Sequence, residues 1–469
     1  MAATRIYTAF SSSGLGAYAQ TFPLHHPDIK VMSNEEILDA IRARCDGVEF
    51  VGSTQVESPA YTIANVLAQK PNLDGLLYFG HLPPELIDTG LPTVAVYPLW
   101  GQWQELYQPY HGKRILTATL PVIADSSPSV FASRLEGIAN KIRLLQMVGR
   151  LKDLRILCIT DNPILGEYEP TTYETAREGR PEYQSRYLQN LASLGSSIIV
   201  RPQAEMVTRL EAAPDAEAAE VARQWVAGAE GIKGTNEAEI RKSARLYLAM
   251  KEMMGLYGAN AITTEGYDIS RLYAGGPIPS QGLPSSQFCT DGVVATSETL
   301  VDSLLTQQLG LWMIGSTGFN GDYIVDTDND KVYIGHCECT FDPLGNGQRV
   351  PYVIRNIPSW PVDQQEKGGA CVQVRLPTDG TVTLAKISVH DKRLVVFTGK
   401  AVDGGQLFPG WDDILCRTKL AIDVDARVVF ANLDWWTFGQ HRVVFYGDYR
   451  QRFKDLATVL GYEAVEDDR

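Results

Sequence analysis

Positive charge is scarce in this 469-residue chain: 42 lysines and arginines stand against 56 aspartates and glutamates, a net charge of −14. Nucleic-acid binding draws on clustered basic side chains to displace counterions, so this balance predicts no nucleic-acid partner. Long apolar runs are missing as well. No stretch reaches the roughly 18 apolar residues that a membrane helix needs, and no membrane partner is expected. The amino-terminal run Met1-Ala-Ala-Thr-Arg-Ile-Tyr7 has no basic segment followed by an apolar core, so no secretory signal is predicted. Cysteine is sparse and odd in number, seven in all. That predicts free thiols in a reducing cytoplasm rather than a disulfide framework. No Gly-x-Gly-x-x-Gly follows the first strand-like segment. Ser13-Gly-Leu-Gly16 is only a fragment of it, and no dinucleotide site is expected. Internal repeats and low-complexity tracts are absent.

What is present is an alternation of apolar strands and amphipathic helices, typical of a parallel sheet covered by helices. Strands are predicted at 5–10, 48–51, 75–79 and 93–97, and helices at 35–44, 60–69 and 130–149. A second α/β segment opens at Arg155-Ile-Leu-Cys-Ile-Thr160 and continues through strands at 197–200 and 260–264 and helices at 216–229 and 237–255. The Gly/Pro/Ser-rich stretch 275–286 is predicted as a loop. From about 340 the pattern becomes short β-branched runs at 371–375, 382–387, 394–398, 418–422 and 428–430, separated by turn signals such as Thr378-Asp-Gly380. The expected fold is therefore α/β: two Rossmann-like α/β domains, 1–152 and 153–339, then a small antiparallel β-barrel domain with a final helix, 340–469.

Four residues of the last third sit where predicted elements begin or end. Glu298 opens a predicted helix within 293–305. Asp322 lies in a predicted loop, Gly318 to Val325. His336 ends the strand Lys331-Val-Tyr-Ile-Gly-His336, and His441 starts the strand before Val443-Val-Phe445. Two carboxylates and two imidazoles suit a hard or borderline divalent cation such as Mn²⁺, with Co²⁺ or Mg²⁺ as alternatives. Singly, each has a plainer reading. Glu298 can offset a helix dipole, Asp322 can cap a turn, and each histidine can bond a carbonyl at a strand end. Asp326-Thr-Asp-Asn-Asp330 is read as a hairpin turn, because the twelfth position of a calcium loop falls on Cys337 and strands flank the run. Cys337-Glu-Cys339 lacks a second cysteine pair and is read as structural thiols.

The order and surroundings of Glu298, Asp322, Gly335-His336 and His441 resemble the L-fucose isomerase and L-arabinose isomerase superfamily. The similarity covers residue 260 to the end, including the apolar face Phe453, Leu456, Ala457, Leu460 and the stop at Gly461. It departs from the arabinose branch at Glu298-Thr-Leu and at Gln440-His441, and the chain reads as a divergent member. The resemblance implies a metal-dependent aldose–ketose isomerase acting on a pentose, hexose or deoxyhexose through a cis-enediol. Glu298 and Asp322 would be both ligands and proton carriers, and His336 and His441 would complete the coordination.

Such an isomerisation moves a proton between C1 and C2 of an open-chain sugar, which calls for tuned carboxylates and a cation on the developing oxyanions. A homo-hexamer with residues shared between neighbouring subunits is also implied. Glu265, Trp436, His81, Gln102 and Trp103 are the candidates for substrate contact. A metal-dependent epimerase or dehydratase, or a non-catalytic carbohydrate-binding protein, are the alternatives. Asp302, one helical turn after Glu298, is expected on the solvated side.

Overall fold

The computed structural model describes residues 3–12, 31–98, 108–120, 128–161, 181–265, 279–357, 369–407 and 410–469. It divides into two compact units, Met1–Asp153 with Lys454–Glu463, and Leu154–Phe453 with Ala464–Arg469.

The first unit carries strands β1 (Thr4–Ser11), β2 (Val48–Glu57), β3 (Gly75–Phe79), β4 (Thr93–Pro98) and β5 (Ile115–Leu120). They form a parallel sheet in the order β2-β1-β3-β4-β5. All five residues of β3 are buried, as expected of a strand covered on both faces. The helix Asn34–Arg42 begins at a capping box, in which Ser33 and Glu36 each satisfy the other's backbone N–H. The long helix Pro128–Arg150 presses on the start of β3. A Cβ on Gly75 would lie 2.7 Å from Leu145 and 2.9 Å from the Pro92 carbonyl, so only glycine fits there.

The second unit starts with β6 (Arg155–Ile159), β7 (Ser197–Arg201), β8 (Gly231–Lys233), β9 (Ala261–Thr264) and β10 (Val294–Ser297). Four of these make a parallel sheet, β10-β9-β6-β7. Leu157, Ile159 and Ile262 of this sheet share a buried cluster with Met206, Met250, Met253 and Phe288 of the helices Gln203–Ala212, Glu237–Tyr257 and Gly282–Thr290. The strands that follow are β11 (Phe319–Asp326), β12 (Lys331–His336), β13 (Tyr352–Arg355), β14 (Cys371–Val374), β15 (Thr381–Ser388), β16 (Arg393–Val402), β17 (Thr418–Asp423), β18 (His441–Tyr446) and β19 (Glu463–Val465). Seven of them form one sheet, β15-β18-β11-β12-β17-β16-β19, in which β15 pairs with β16 as well as with β18. The ladders among its first six strands are antiparallel. A three-stranded sheet, β14-β13-β8, completes the unit.

Several local expectations are corrected. Val428-Val-Phe430 is β-branched and was expected as strand, yet it lies in the helix Ala426–Asn432, whose first turn is capped by Asp425 accepting from Val428 N at 3.2 Å. The predicted loop 275–286 gives way at Gly282 to the helix Gly282–Thr290; a Cβ on Gly282 would lie 2.4 Å from the Cys337 carbonyl. Asp326–Asp330 does form a hairpin turn, with Asp326 accepting from the N–H groups of Asp328 and Asn329. No helix among the described residues is long and apolar enough to cross a membrane.

Candidate metal centre

Glu298 does not open a helix. It follows β10 in the left-handed conformation, φ 65°, and Thr299 does the same at φ 57°. The helix begins only at Val301. The cause is tertiary. Thr299 N donates to the Thr264 carbonyl at the end of β9, 3.2 Å away, which turns the chain sharply off the carboxyl edge of the parallel sheet. Consecutive positive φ values on non-glycine residues cost energy, and such strain persists where surrounding structure holds it.

Asp322 is in β11, not in a loop, paired on one side with His441 of β18 and on the other with Gly335 of β12. His336, the last residue of β12, comes directly after Gly335. Two antiparallel ladders thus gather residues that the chain keeps far apart. Gly321, just before Asp322, has room for no side chain, since a Cβ would lie 2.7 Å from Ile334.

The side chains converge. Donor atoms of Glu298, His336 and His441 all lie within 4.8 Å of one another. Glu298 is 3.7 Å from Nε2 of His336 and 3.7 Å from Nε2 of His441, and Asp322 Oδ1 is 3.4 Å from His441 Nε2. These separations exceed those of hydrogen bonds. Two donors held at about 2.1 Å from one cation stand about 3.0 to 4.2 Å apart, according to the angle between them, and the separations of Glu298 from both imidazoles fall in that range, so these three residues could hold a divalent ion. Both imidazoles are buried, while the Glu298 side chain is half exposed and opens the group to solvent.

Charge in the group is unevenly spread. Burial pulls His336 down, but the carboxylates of Glu338, Glu298 and Asp322 outweigh it and leave the imidazole at about 9. Burial also depresses His441, helped by the positive His336, Lys386 and Arg442, to well below the ordinary histidine value. Asp322 is raised by burial, opposed by His336, Cys416 and Gln440. The cluster therefore keeps His441 neutral, the form that ligates metals, while the carboxylates hold a proton on His336 that a bound cation would displace.

Several supporting residues escaped the sequence reading. Glu338 is buried; its Oε1 accepts from Ser297 N at 3.1 Å and stands 3.9 Å from His336 Nδ1. One carboxylate thus holds the residue before Glu298 and sets negative charge beside the ring of His336. A lone acidic residue between two cysteines carried no pattern to reveal this. Gln440, noted only as a departure, donates from Nε2 to Asp322 Oδ1 at 2.5 Å. Cys416 Sγ donates to Asp322 Oδ2 at 3.6 Å. The Cys337 thiol is held well below its usual range by hydrogen bonds from Cys371 and Cys416.

The remaining candidates are dispersed. Glu265 leaves the carboxyl end of β9 as Glu298 leaves that of its neighbour β10, and its carboxylate accepts from the Thr160 hydroxyl. In open α/β sheets that edge is where ligands bind. Trp436 is 72% exposed in the short helix Trp435–Phe438, and Trp435 is partly buried. His81 belongs to the first unit, with its ring 5.4 Å from that of Tyr97, and burial lowers its pKa. Gln102 and Trp103 lie outside the described residues. Asp302 is not solvated: it is 3% exposed and accepts from the Tyr187 hydroxyl at 2.7 Å and from Val389 N at 3.4 Å.

No family model matches the chain, and no curated protein matches it. Among solved structures it is similar to one described as "XylFII molecule", at 12% identity over 67% of this chain and 93% of that one, with a TM-score of 0.16. At that score the likeness bears on neither fold nor function.

Proposed function

We propose that the protein is a divalent-cation-dependent aldose–ketose isomerase, with Glu298, Asp322, His336 and His441 as the residues that hold Mn²⁺. The observation that carries this reading is the cluster of Glu298, His336 and His441, whose donor atoms all lie within 4.8 Å of one another, with Asp322 Oδ1 3.4 Å from His441 Nε2. The resemblance to L-fucose and L-arabinose isomerases supplies the reaction type. When bound, the cation would stabilise negative charge on the C1 and C2 oxygens of an open-chain sugar.

The protein's own groups do the rest. Glu298, half exposed, faces the solvent side from which a sugar arrives. Asp322, held by Gln440 and Cys416, stands 3.4 Å from His441 Nε2. One carboxylate takes the proton from the first carbon and returns it to the second, with the other holding a proton on the adjacent oxygen. Gln440 keeps Asp322 from turning away, and the Glu338 carboxylate places negative charge beside His336. The same reading carries a homo-hexamer and a cytoplasmic setting, for which light scattering and fractionation are the tests.

The deciding experiment is incubation with pentoses, hexoses and deoxyhexoses in D₂O with Mn²⁺, read by NMR. Deuterium entering C1 or C2 together with ketose formation supports isomerisation. Deuterium entry with inversion only, or loss of water from a sugar acid, moves the protein to an epimerase or dehydratase. Binding without exchange on any sugar overturns the enzymatic reading.

A further inference from the structure

Two strands away from Asp322, the same antiparallel sheet borders a cavity of about 460 Å³. Gly335 pairs with Asp322 on one side and with Lys419 on the other, which sets the Lys419 backbone about 10 Å from that of Asp322. The cavity is lined by Arg417 and Lys419 at β17, by Gln373 and Arg375 at β14, and by Trp411 with the acidic pair Asp412 and Asp413. Its size is that of a small-molecule site. Trp411 is a fixed wall. Its ring meets that of Tyr333 edge to face at 5.7 Å and lies against Gly404, where a Cβ would stand 2.3 Å from it.

Charge in this cavity does not balance. Asp413 answers Lys233 at 2.7 Å and Arg355 at 2.8 Å. Asp412 answers Arg375 at 3.5 Å and accepts from Gln373 Nε2 at 2.9 Å. Asp403, the remaining carboxylate on the wall, accepts from Gly405 N at 2.8 Å. Arg417 and Lys419 are left with neutral oxygens. Arg417 is 5% exposed and donates to the carbonyls of Asn356 and Asp413 and to the side-chain oxygen of Asn356. Lys419 is partly buried and donates to the Trp411 carbonyl at 2.6 Å. Among the described residues no carboxylate stands within ion-pair distance of either. A guanidinium has five N–H donors and an ammonium three, so two remain on each side chain. The two residues flank Thr418, and alternate residues of a strand share a face. Withdrawing cations from water without a counter-charge is costly, and an anion in the cavity would offset that cost.

We infer that the cavity is a binding site for a small organic anion, a phosphorylated or carboxylated ring compound whose oxyanion pairs with Lys419 and Arg417 and whose ring lies against Trp411. Guanidinium and ammonium donors suit the oxygens of either group. The volume and the Trp411 wall leave room for the body of such a molecule beside its charge. The site does not depend on the metal centre.

Isothermal titration of the full-length protein in EDTA tests the site without the metal centre. The probes are glucose 6-phosphate, gluconate and, as the neutral control, glucose. Expected is saturable binding of glucose 6-phosphate or gluconate and none of glucose at the same concentration. The tighter of the two anions identifies the phosphate or the carboxylate as the group the site takes. Lys419→Met should weaken that binding by about tenfold or more, since a hydrogen bond to a charged group is lost. Lys419→Arg should retain most of it, and Lys251→Met, at an exposed position of the helix Glu237–Tyr257, should leave it unchanged. Circular dichroism establishes that each variant is folded; if Lys419→Met is not, the wild-type comparison of the anions with glucose decides. Glucose bound as tightly as either anion, no binding of either anion, or wild-type affinity in Lys419→Met overturns the proposal.

Discussion

Asp322 and His441 are register partners on β11 and β18, and their side chains meet with His441 Nε2 3.4 Å from Asp322 Oδ1. On its other side Asp322 pairs with Gly335, so His336 is delivered one residue further along the same ladder. The geometry of the centre is thus a property of sheet register. A slip of one residue in either ladder would turn Asp322 to the other face and disperse the group.

Replacing either carboxylate by its amide should leave the fold and remove the chemistry. Glu298→Gln and Asp322→Asn are nearly isosteric, and the amide has neither the charge to hold a cation nor the basicity to carry a proton. Turnover on a confirmed substrate should fall by more than about 10²-fold, the lower end of what general acid–base catalysis contributes. Circular dichroism should be unchanged. Wild-type turnover in either variant would sink the assignment.

Glu298→Gly separates strain from function. Glycine adopts φ near 65° without the penalty an L-residue meets, about 1 kcal/mol or slightly more, and the half-exposed glutamate has little packing to lose. The metal-free variant should be as stable as the wild type or more so, yet gain nothing from Mn²⁺. The wild type should gain about 2.7 kcal/mol at 100 times the dissociation constant. Differential scanning fluorimetry with and without metal measures both quantities.

Gly310→Ala should destabilise although it improves helix propensity. Alanine is favoured over glycine within a helix by about 1 kcal/mol. A Cβ at 310, however, would lie 2.1 Å from the Phe445 ring, and forcing a methyl into a filled core costs about 1 to 3 kcal/mol. The overlap is deep enough for the second effect to win. Urea denaturation with an increased midpoint would contradict this.

Asp302→Ala should cost about 2 to 3 kcal/mol, because it strips a buried carboxylate from the Tyr187 hydroxyl and from Val389 N. A stability loss below about 0.5 kcal/mol would return Asp302 to the solvated class of surface positions.

Asp467 should give the protein a stability term that weakens with rising pH. It is fully buried and stands 3.9 Å from the equally buried Arg442. Burial raises its pKa from 3.8 to about 6, against the lowering effect of Arg442. The folded state therefore holds this proton more tightly than the unfolded state. The contribution is complete below about pH 4 and is lost as pH climbs through about 6, on the order of 3 kcal/mol. Asp467→Asn cannot titrate. The stability of the wild type relative to this variant should fall between pH 4 and pH 7, and a pH-independent difference in urea midpoints would refute the linkage.

Local pattern was enough for the elements that local physics governs. The apolar run of β3, the alternation of β12 ending in His336, the start of β18 at His441 and the polar turn at Asp326–Asp330 are each written in a few adjacent residues. The candidate ligands were also legible as chemistry-bearing residues in a particular order, with Glu298, His336 and His441 at strand ends and Asp322 within β11. Their conformations were not. The apolar spacing of 293–305 suits a helix, yet the chain breaks at Glu298 and Thr299 because Thr299 N finds the end of β9. Val428-Val-Phe430 favours strand by its side chains, yet Asp425 caps it into a helix. Asp302 looks polar enough for the surface, yet the Tyr187 hydroxyl and the Val389 amide supply what water would have. Glu338, Gln440 and Cys416 gained their places at the centre only through the ladders joining β12, β17, β18 and β11. Propensity and periodicity act over a few residues, whereas register, burial and the matching of polar groups are settled between segments that meet only once the chain has folded.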